Sequence, residues 1–280
     1  MNAAAVMAFF GVFAAVIGLV LGSFCNVAIG RMPEGRSVVT PGSHCEACGN
    51  AVRWYDNIPV WSYLRLGGAC RGCGARIPAT FPLIEALVGL LALALYRRIF
   101  ADPLDFDLAH GAAFAYFLGF ICLLVIASYI DLKHWIVPDE TSIYAVPAGI
   151  LGAVVLQALQ YDGAAALTWR QAVAGATFGG GLFATVAIGA YAIMGREGLG
   201  WGDVKLMAMI GAFLGASVWV SLFLGTLLGA VVGLLHLAIT RRRSYLPLGP
   251  ILAVAAVVTL FYGDPIIRVF FPGIALMQGL

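Results

Sequence analysis

Residues 206–239 read LMAMIGAFLGASVWVSLFLGTLLGAVVGLLHLAI, a run of 34 with no aspartate, glutamate, lysine or arginine. A helix crosses the hydrocarbon core of a bilayer with about 20 apolar residues. The run is too long for one crossing and is read as two, turning at Gly215-Ala216-Ser217. That division fixes which side of the membrane receives Arg241, Arg242 and Arg243, and so decides the topology.

Working outward, the apolar stretches give eight spans: 6–29, 82–98, 109–130, 142–160, 171–194, 204–217, 218–239 and 245–262. Of the 280 residues, 62% are hydrophobic and 11% charged, against about 25% charged in soluble domains. The runs far exceed the roughly 10-residue alternating strands of a membrane barrel. The expected fold is an all-α polytopic membrane protein in a lipid bilayer. It has about eight transmembrane helices and a small zinc-bound domain inserted after the first helix. The predicted divisions are a first helix over 1–30, a cytoplasmic cysteine-bearing segment over 31–81 and a multi-span domain over 82–280. The first run lacks a basic start and is longer than a signal-peptide core, so it is read as a retained span. A formal net charge of +2 shows no nucleic-acid footprint.

Placing 31–81 in the cytoplasm puts 131–141, 195–203 and 240–244 on the same side. With Lys205 these parts hold 12 of the 16 basic residues, as the positive-inside rule requires. Arg97, Arg98, Arg170 and Arg268 remain opposite. Glycines spaced by four (Gly175/Gly179, Gly211/Gly215, Gly225/Gly229/Gly233) predict close helix packing.

Cys45-x2-Cys48 and Cys70-x2-Cys73 are separated by 21 residues. Four thiolates at this spacing predict a closed, structural zinc site; two disulfides are the alternative, which a reducing cytoplasm disfavours. His44 reads as a neighbour, and Cys25 and Cys122 as packing residues within spans.

Asp131 follows the span 109–130, and Asp203 lies in Gly200-Trp201-Gly202-Asp203. Acids at span edges are costly and mark function. Two carboxylates that meet can share a proton and activate water. The blander readings are a loop Asp131 pairing with Lys133, and Asp139 and Asp203 capping helix starts. The glycines flanking Trp201 are expected to fray the helix start and admit a substrate backbone. Lys205 is expected to form a salt bridge.

Together these residues resemble the type IV prepilin leader peptidase family of membrane aspartyl peptidases. The similarity runs through Gly22-Ser23-Phe24-Cys25-Asn26, the two cysteine pairs with Asp56-Asn57-Ile58-Pro59 between them, and Phe81-Pro82-Leu83-Ile84-Glu85. It continues through Asp131 to Pro138-Asp139, Glu197-Gly198-Leu199-Gly200-Trp201-Gly202-Asp203-Val204-Lys205, and Pro247-Leu248-Gly249-Pro250. The resemblance implies Asp131 and Asp203 as the catalytic pair, supported by Gly200, Gly202, Lys205, Pro138 and Asp139. It implies prepilin or pseudopilin-like membrane substrates of type IV pilus or type II secretion systems, cut after a glycine at the cytoplasmic face of a bacterial inner membrane. It further implies N-methylation of the new terminus from S-adenosylmethionine, with Gly68 and Glu85 in the methyl-transfer, cofactor-binding segment. The chain departs from the pattern at Ala69, where many bifunctional members carry lysine. Peptidase activity without methyl transfer, a proton-coupled transporter and a zinc-bearing membrane scaffold are the competing readings. The sequence leaves the oligomeric state open.

Overall fold

The computed structural model describes residues 3–101, 106–195, 199–240 and 247–270. Arg241–Arg243 and residues 196–198, which precede the Gly200-Trp201-Gly202-Asp203 motif, lie outside them. The chain divides into two compact units, Met1–Phe106 and Asp107–Leu280. Among the described residues there are no strands, only two isolated bridges, His44–Ala51 and Ala69–Arg76.

In the first unit α1 (Ala3–Arg31) and α3 (Thr80–Ile99) flank a segment that contains the single short helix α2 (Trp61–Arg65). The two long helices form an antiparallel hairpin. Asn26 Nδ2 donates to the Phe81 carbonyl at 3.1 Å at one end, and the Tyr96 hydroxyl reaches the Met7 sulfur at 3.5 Å at the other. Between these ties, a Cβ at Gly18 would stand 2.5 Å from the Ala92 Cβ, and one at Gly22 would stand 2.7 Å from the Glu85 Cα. Only hydrogen at those positions allows the helices to approach so closely.

The second unit holds α4 (Leu108–His134), α5 (Ala145–Ala158), α6 (Trp169–Met194), α7 (Trp201–Leu214), α8 (Val218–Thr240) and α9 (Gly249–Phe270). Among the described residues of the chain, seven helices are long and apolar enough to span a membrane when Trp201–Thr240 is counted once. The backbone breaks that stretch at a 3-10 turn over Gly215–Ser217, with Gly215 at φ 56°. The chain also reverses there. Ser221 in α8 bonds to Thr259 in α9 at 2.9 Å, Gly225 faces Leu252, and Gly263 lies over Ser217, so α8 and α9 are antiparallel. The start of α7 lies with the start of α9, as the site below shows, and its end with Ser217. The eight-helix reading holds, and the chain is a multi-pass membrane protein.

α7 is buried nearly all round, as befits an interior helix apolar on every face. Gly175 and Gly211 let α6 and α7 touch backbone to backbone; a Cβ on Gly211 would stand 2.0 Å from the Gly175 carbonyl oxygen. Phe213 of α7 stacks between Tyr116 and Phe120 of α4, with centroids at 4.8 and 4.7 Å. With 14 residues, α7 is about 21 Å long, short of a full hydrocarbon core.

Two helices run well past their expected ends. α4 continues four residues past Ile130, which makes Asp131 a helical residue rather than a loop one. α9 runs to Phe270 instead of stopping near 262, and it carries Pro265 inside the helix. Proline there gives up one backbone hydrogen bond.

Candidate active site and cysteine cluster

The carboxylate site assembles from three helix ends of the second unit. α4 stops because Trp135 adopts the left-handed conformation (φ 59°, ψ 31°) and turns its N–H back onto the Asp131 carbonyl. That position usually takes glycine. Asp131 is thereby held in the last turn with its side chain 7% exposed. Its Oδ2 accepts a buried hydrogen bond from the backbone N–H of Gly249, the first residue of α9, at 3.0 Å. The first N–H groups of a helix have no partner within it, and the helix dipole favours an anion there. Asp131 therefore occupies the anion position of a helix 118 residues away. Any Cβ on Gly249 would stand 2.7 Å from that same oxygen.

Asp203 is the third residue of α7. Gly200 is the extended N-cap and accepts the Asp203 N–H at 3.1 Å. The helix does not fray as expected: Trp201 and Gly202 are already helical. Gly202 serves packing instead, since a Cβ there would come within 3.1 Å of the Val137 side chain. Val137 belongs to the short link after α4, so the link lies against the start of α7.

The capping role expected of Asp139 is not found. It opens a 3-10 turn, Asp139–Thr141, whose N-cap is Pro138 with no side-chain cap bond. Its carboxylate instead meets Lys205 Nζ at 2.5 Å, which is the salt bridge expected of Lys205. The Pro138 carbonyl accepts the hydroxyls of Thr141 and Ser142 at 3.1 and 2.7 Å, and both residues are fully buried. Asp131–Gly249, Val137–Gly202 and Asp139–Lys205 thus tie one end of α4, α7 and α9 together. Sequence reading singled out Pro247-Leu248-Gly249-Pro250 as a motif but not its contact with Asp131. Thr141 and Ser142 carried no signal beyond following Pro138-Asp139.

The first unit holds the sulfur cluster. The Sγ atoms of Cys45, Cys48, Cys70 and Cys73 all lie within 4.8 Å of one another and can hold a metal ion. Cys45 and Cys73 are 3.9 Å apart, close to the roughly 3.8 Å edge of a tetrahedron with metal–sulfur bonds of about 2.3 Å. Two knuckles of one design build it. Cys45 N–H bonds to the Asn50 carbonyl and Cys70 N–H to that of Ala75, while Gly49 and Gly74, both with positive φ, turn back onto the Cys45 and Cys70 carbonyls. The repeat Cys-x2-Cys-Gly was present in the sequence as the signal for this. N–H groups of Cys73 and Gly72, with the Cys45 side chain, bring the Cys70 thiol down to about 7. The Ala75 N–H lowers the Cys73 thiol, but the sulfurs of Cys48, Cys70 and Cys45 and local burial outweigh it and push it up to about 11. Four sulfurs so close cannot all ionise without a cation among them. His44 stays outside the group and its ring meets the Gly42 carbonyl.

Beside the cluster, Arg65 and Arg71 clamp Asp56 with three bonds of 2.7–2.8 Å. The Arg71 guanidinium, aided by Arg65, holds the Asp56 carboxyl below its usual range. Gly68 (φ 69°) lines an open cleft of about 690 Å³ with Tyr63, Ala69, Arg76 and Pro78. Glu85 lies outside that lining. Glu85 is buried, its carboxylate accepts the Val60 N–H at 2.7 Å, and Gly22 of α1 packs against its backbone.

The comparisons with known proteins agree on one family. Residues 16–99 match the model described as the bacterial peptidase A24 N-terminal domain, and residues 118–237 that of the type IV leader peptidase family. A Myxococcus xanthus protein named prepilin leader peptidase/N-methyltransferase is 42% identical over 83% of this chain and 65% of its own length. Proteins of the same name from Burkholderia pseudomallei and Pseudomonas aeruginosa are 34% and 32% identical. They are matched over 90% and 91% of this chain, and 85% and 91% of their own lengths. No solved structure matches this chain at a significant level.

Proposed function

Because the chain belongs to the type IV leader peptidase family, we propose that it removes the leader from prepilin or pseudopilin-like membrane proteins and N-methylates the new terminus. Asp131 and Asp203 carry the hydrolysis. The observation behind this reading is that Asp131 in the last turn of α4 and Asp203 in the first turn of α7, 72 apart in sequence, stand at the one end of the helix bundle that the Val137–Gly202 and Asp139–Lys205 contacts tie together.

Two carboxyl groups at close range share one proton and titrate as a pair. The Gly249 N–H is the kind of partner an ionised carboxylate takes, which makes Asp131 the general base and Asp203 the acid. Asp131 accepts a proton from water as the water oxygen attacks the carbonyl carbon of the substrate glycine. Asp203 donates its proton to the carbonyl oxygen; the proton held by Asp131 then passes to the nitrogen, and collapse of the tetrahedral adduct expels the amine of the next residue and returns a hydroxyl proton to Asp203. The Val137–Gly202 and Asp139–Lys205 contacts hold the acid against the base. The basic-residue bias supports a cytoplasmic location at a bacterial inner membrane for this site and for the cysteine segment 31–81, with the peptidase spans in 82–280.

Zn²⁺ suits the four sulfurs and, with no open position, serves structure rather than chemistry. S-adenosylmethionine supplies the methyl group when bound. The cleft fits it in kind: the Tyr63 ring offers a face for adenine and the Arg76 guanidinium a partner for a carboxylate, beside Gly68. The new amine must be neutral and close to the methyl carbon, an effect of proximity. Glu85 acts as a positioning residue through the Val60 turn. Ala69 supplies no ammonium beside the cleft, which favours leader cleavage alone as the second reading.

Mass spectrometry of a co-expressed substrate tests both activities together. A cut after glycine with an added methyl group supports the full reading, and a cut alone supports the second. An uncut substrate contradicts both.

A further inference from the structure

The turn Pro59–Trp61 hangs on α3. Glu85, the sixth residue of that helix, accepts the Val60 N–H at 2.7 Å. At 1.5 Å per residue it stands about 7.5 Å inside the start of α3. Gly22, where a Cβ would stand 2.7 Å from the Glu85 Cα, lies nine residues before the end of α1, about 13.5 Å inside it. The connecting segment therefore does not simply project beyond the hairpin; it folds back along it to a depth that belongs to the apolar spans.

The side chains carried there suit a lipid boundary. Trp54 is 81% exposed, Ile58 41%, Trp61 59% and Leu64 67%, the last two being one turn apart on α2. The Arg53, Arg65 and Arg71 guanidiniums surround the Tyr55 ring at 5.7–5.8 Å, against the single carboxylate of Asp56. Three cations facing one anion leave a net positive collar beside an apolar edge. Tryptophans at the headgroup level with arginines on phosphate are what an interfacial element presents.

We propose that the Trp54–Leu64 edge is seated in the lipid interface, with Arg53, Arg65 and Arg71 on anionic phospholipid headgroups. The occupant follows from continuity with the membrane-spanning α1–α3 hairpin and from charge. The consequence is that the height of the methyl-transfer cleft is set by the bilayer surface.

The test uses the full-length protein in nanodiscs of phosphatidylcholine alone or with phosphatidylglycerol, with bromine on the acyl chains near the headgroup. Fluorescence lost on Trp61→Phe isolates the Trp61 signal. The proposal expects that signal to be quenched by brominated lipid, more strongly with phosphatidylglycerol, and shielded from aqueous iodide. Leu64→Ser should weaken the lipid quenching while metal content is kept. A Trp61 signal open to iodide and indifferent to brominated lipid would overturn the proposal and leave the edge free for a protein partner. Equal quenching in both lipid mixtures would overturn the headgroup assignment. Neither readout depends on peptidase or methyl-transfer activity.

Discussion

Asp131 Oδ2 and the backbone N–H of Gly249 meet at 3.0 Å in a buried bond, so that a carboxylate near the end of α4 takes the first free donor of α9. No side chain fits at position 249 without displacing that oxygen. Gly249→Ala should therefore leave the protein in the membrane but lower the rate of leader cleavage by about 100-fold, the scale of an ångström-sized misplacement of a catalytic group. Initial rates on a purified prepilin in detergent check this. A wild-type rate would remove Gly249 from the account.

The Asp139–Lys205 pair behaves differently because its side chains are 45% and 35% exposed. Exposed ion pairs contribute about 0–1 kcal/mol. Lys205→Met and Asp139→Asn should each leave thermal unfolding nearly unchanged yet slow cleavage, and the double variant should be no slower than either single one. Additive losses would show that the two residues act separately.

Cys45→Ser or Cys70→Ser should release the bound metal, measured as zinc per chain in protein purified without chelator. Each should also expose 31–81 to proteolysis while leaving the Asp131–Asp203 unit folded. Absence of zinc in the unaltered protein would reject the metal assignment.

The Asp56 clamp gives a pH dependence of fixed sign. Its folded pKa lies below the ordinary value of 3.8 because Arg71 and Arg65 bond to the carboxylate. The contribution is full above that ordinary value and is lost as pH falls through the lower folded value. Amide exchange over 53–71 should accelerate in that acid window, and Asp56→Asn should remove this component of the pH response. A rise in protection on acidification would contradict the sign.

Much of this was legible in the chain because local chemistry carried it. The Gly215 break needed only the bilayer's thickness and a run too long to cross once. The cysteine knuckles needed only their spacing, and the salt bridge of Lys205 only its surroundings. What was not legible depends on residues distant in sequence. Nothing in Pro247-Leu248-Gly249-Pro250 says that its glycine answers Asp131. Nothing near Asp139 says that its partner stands on α7 rather than at its own helix start. Gly202 reads as a flexible residue, and only the packing of Val137 shows that it provides space.

The dyad itself is tested most directly by the mass of a co-expressed prepilin in cells carrying Asp131→Asn or Asp203→Asn. Each exchange keeps the side chain's shape and removes its ability to trade a proton. The account predicts full-length substrate with either variant, in membranes holding normal amounts of the enzyme. Substrate shortened at the glycine by either variant would contradict it.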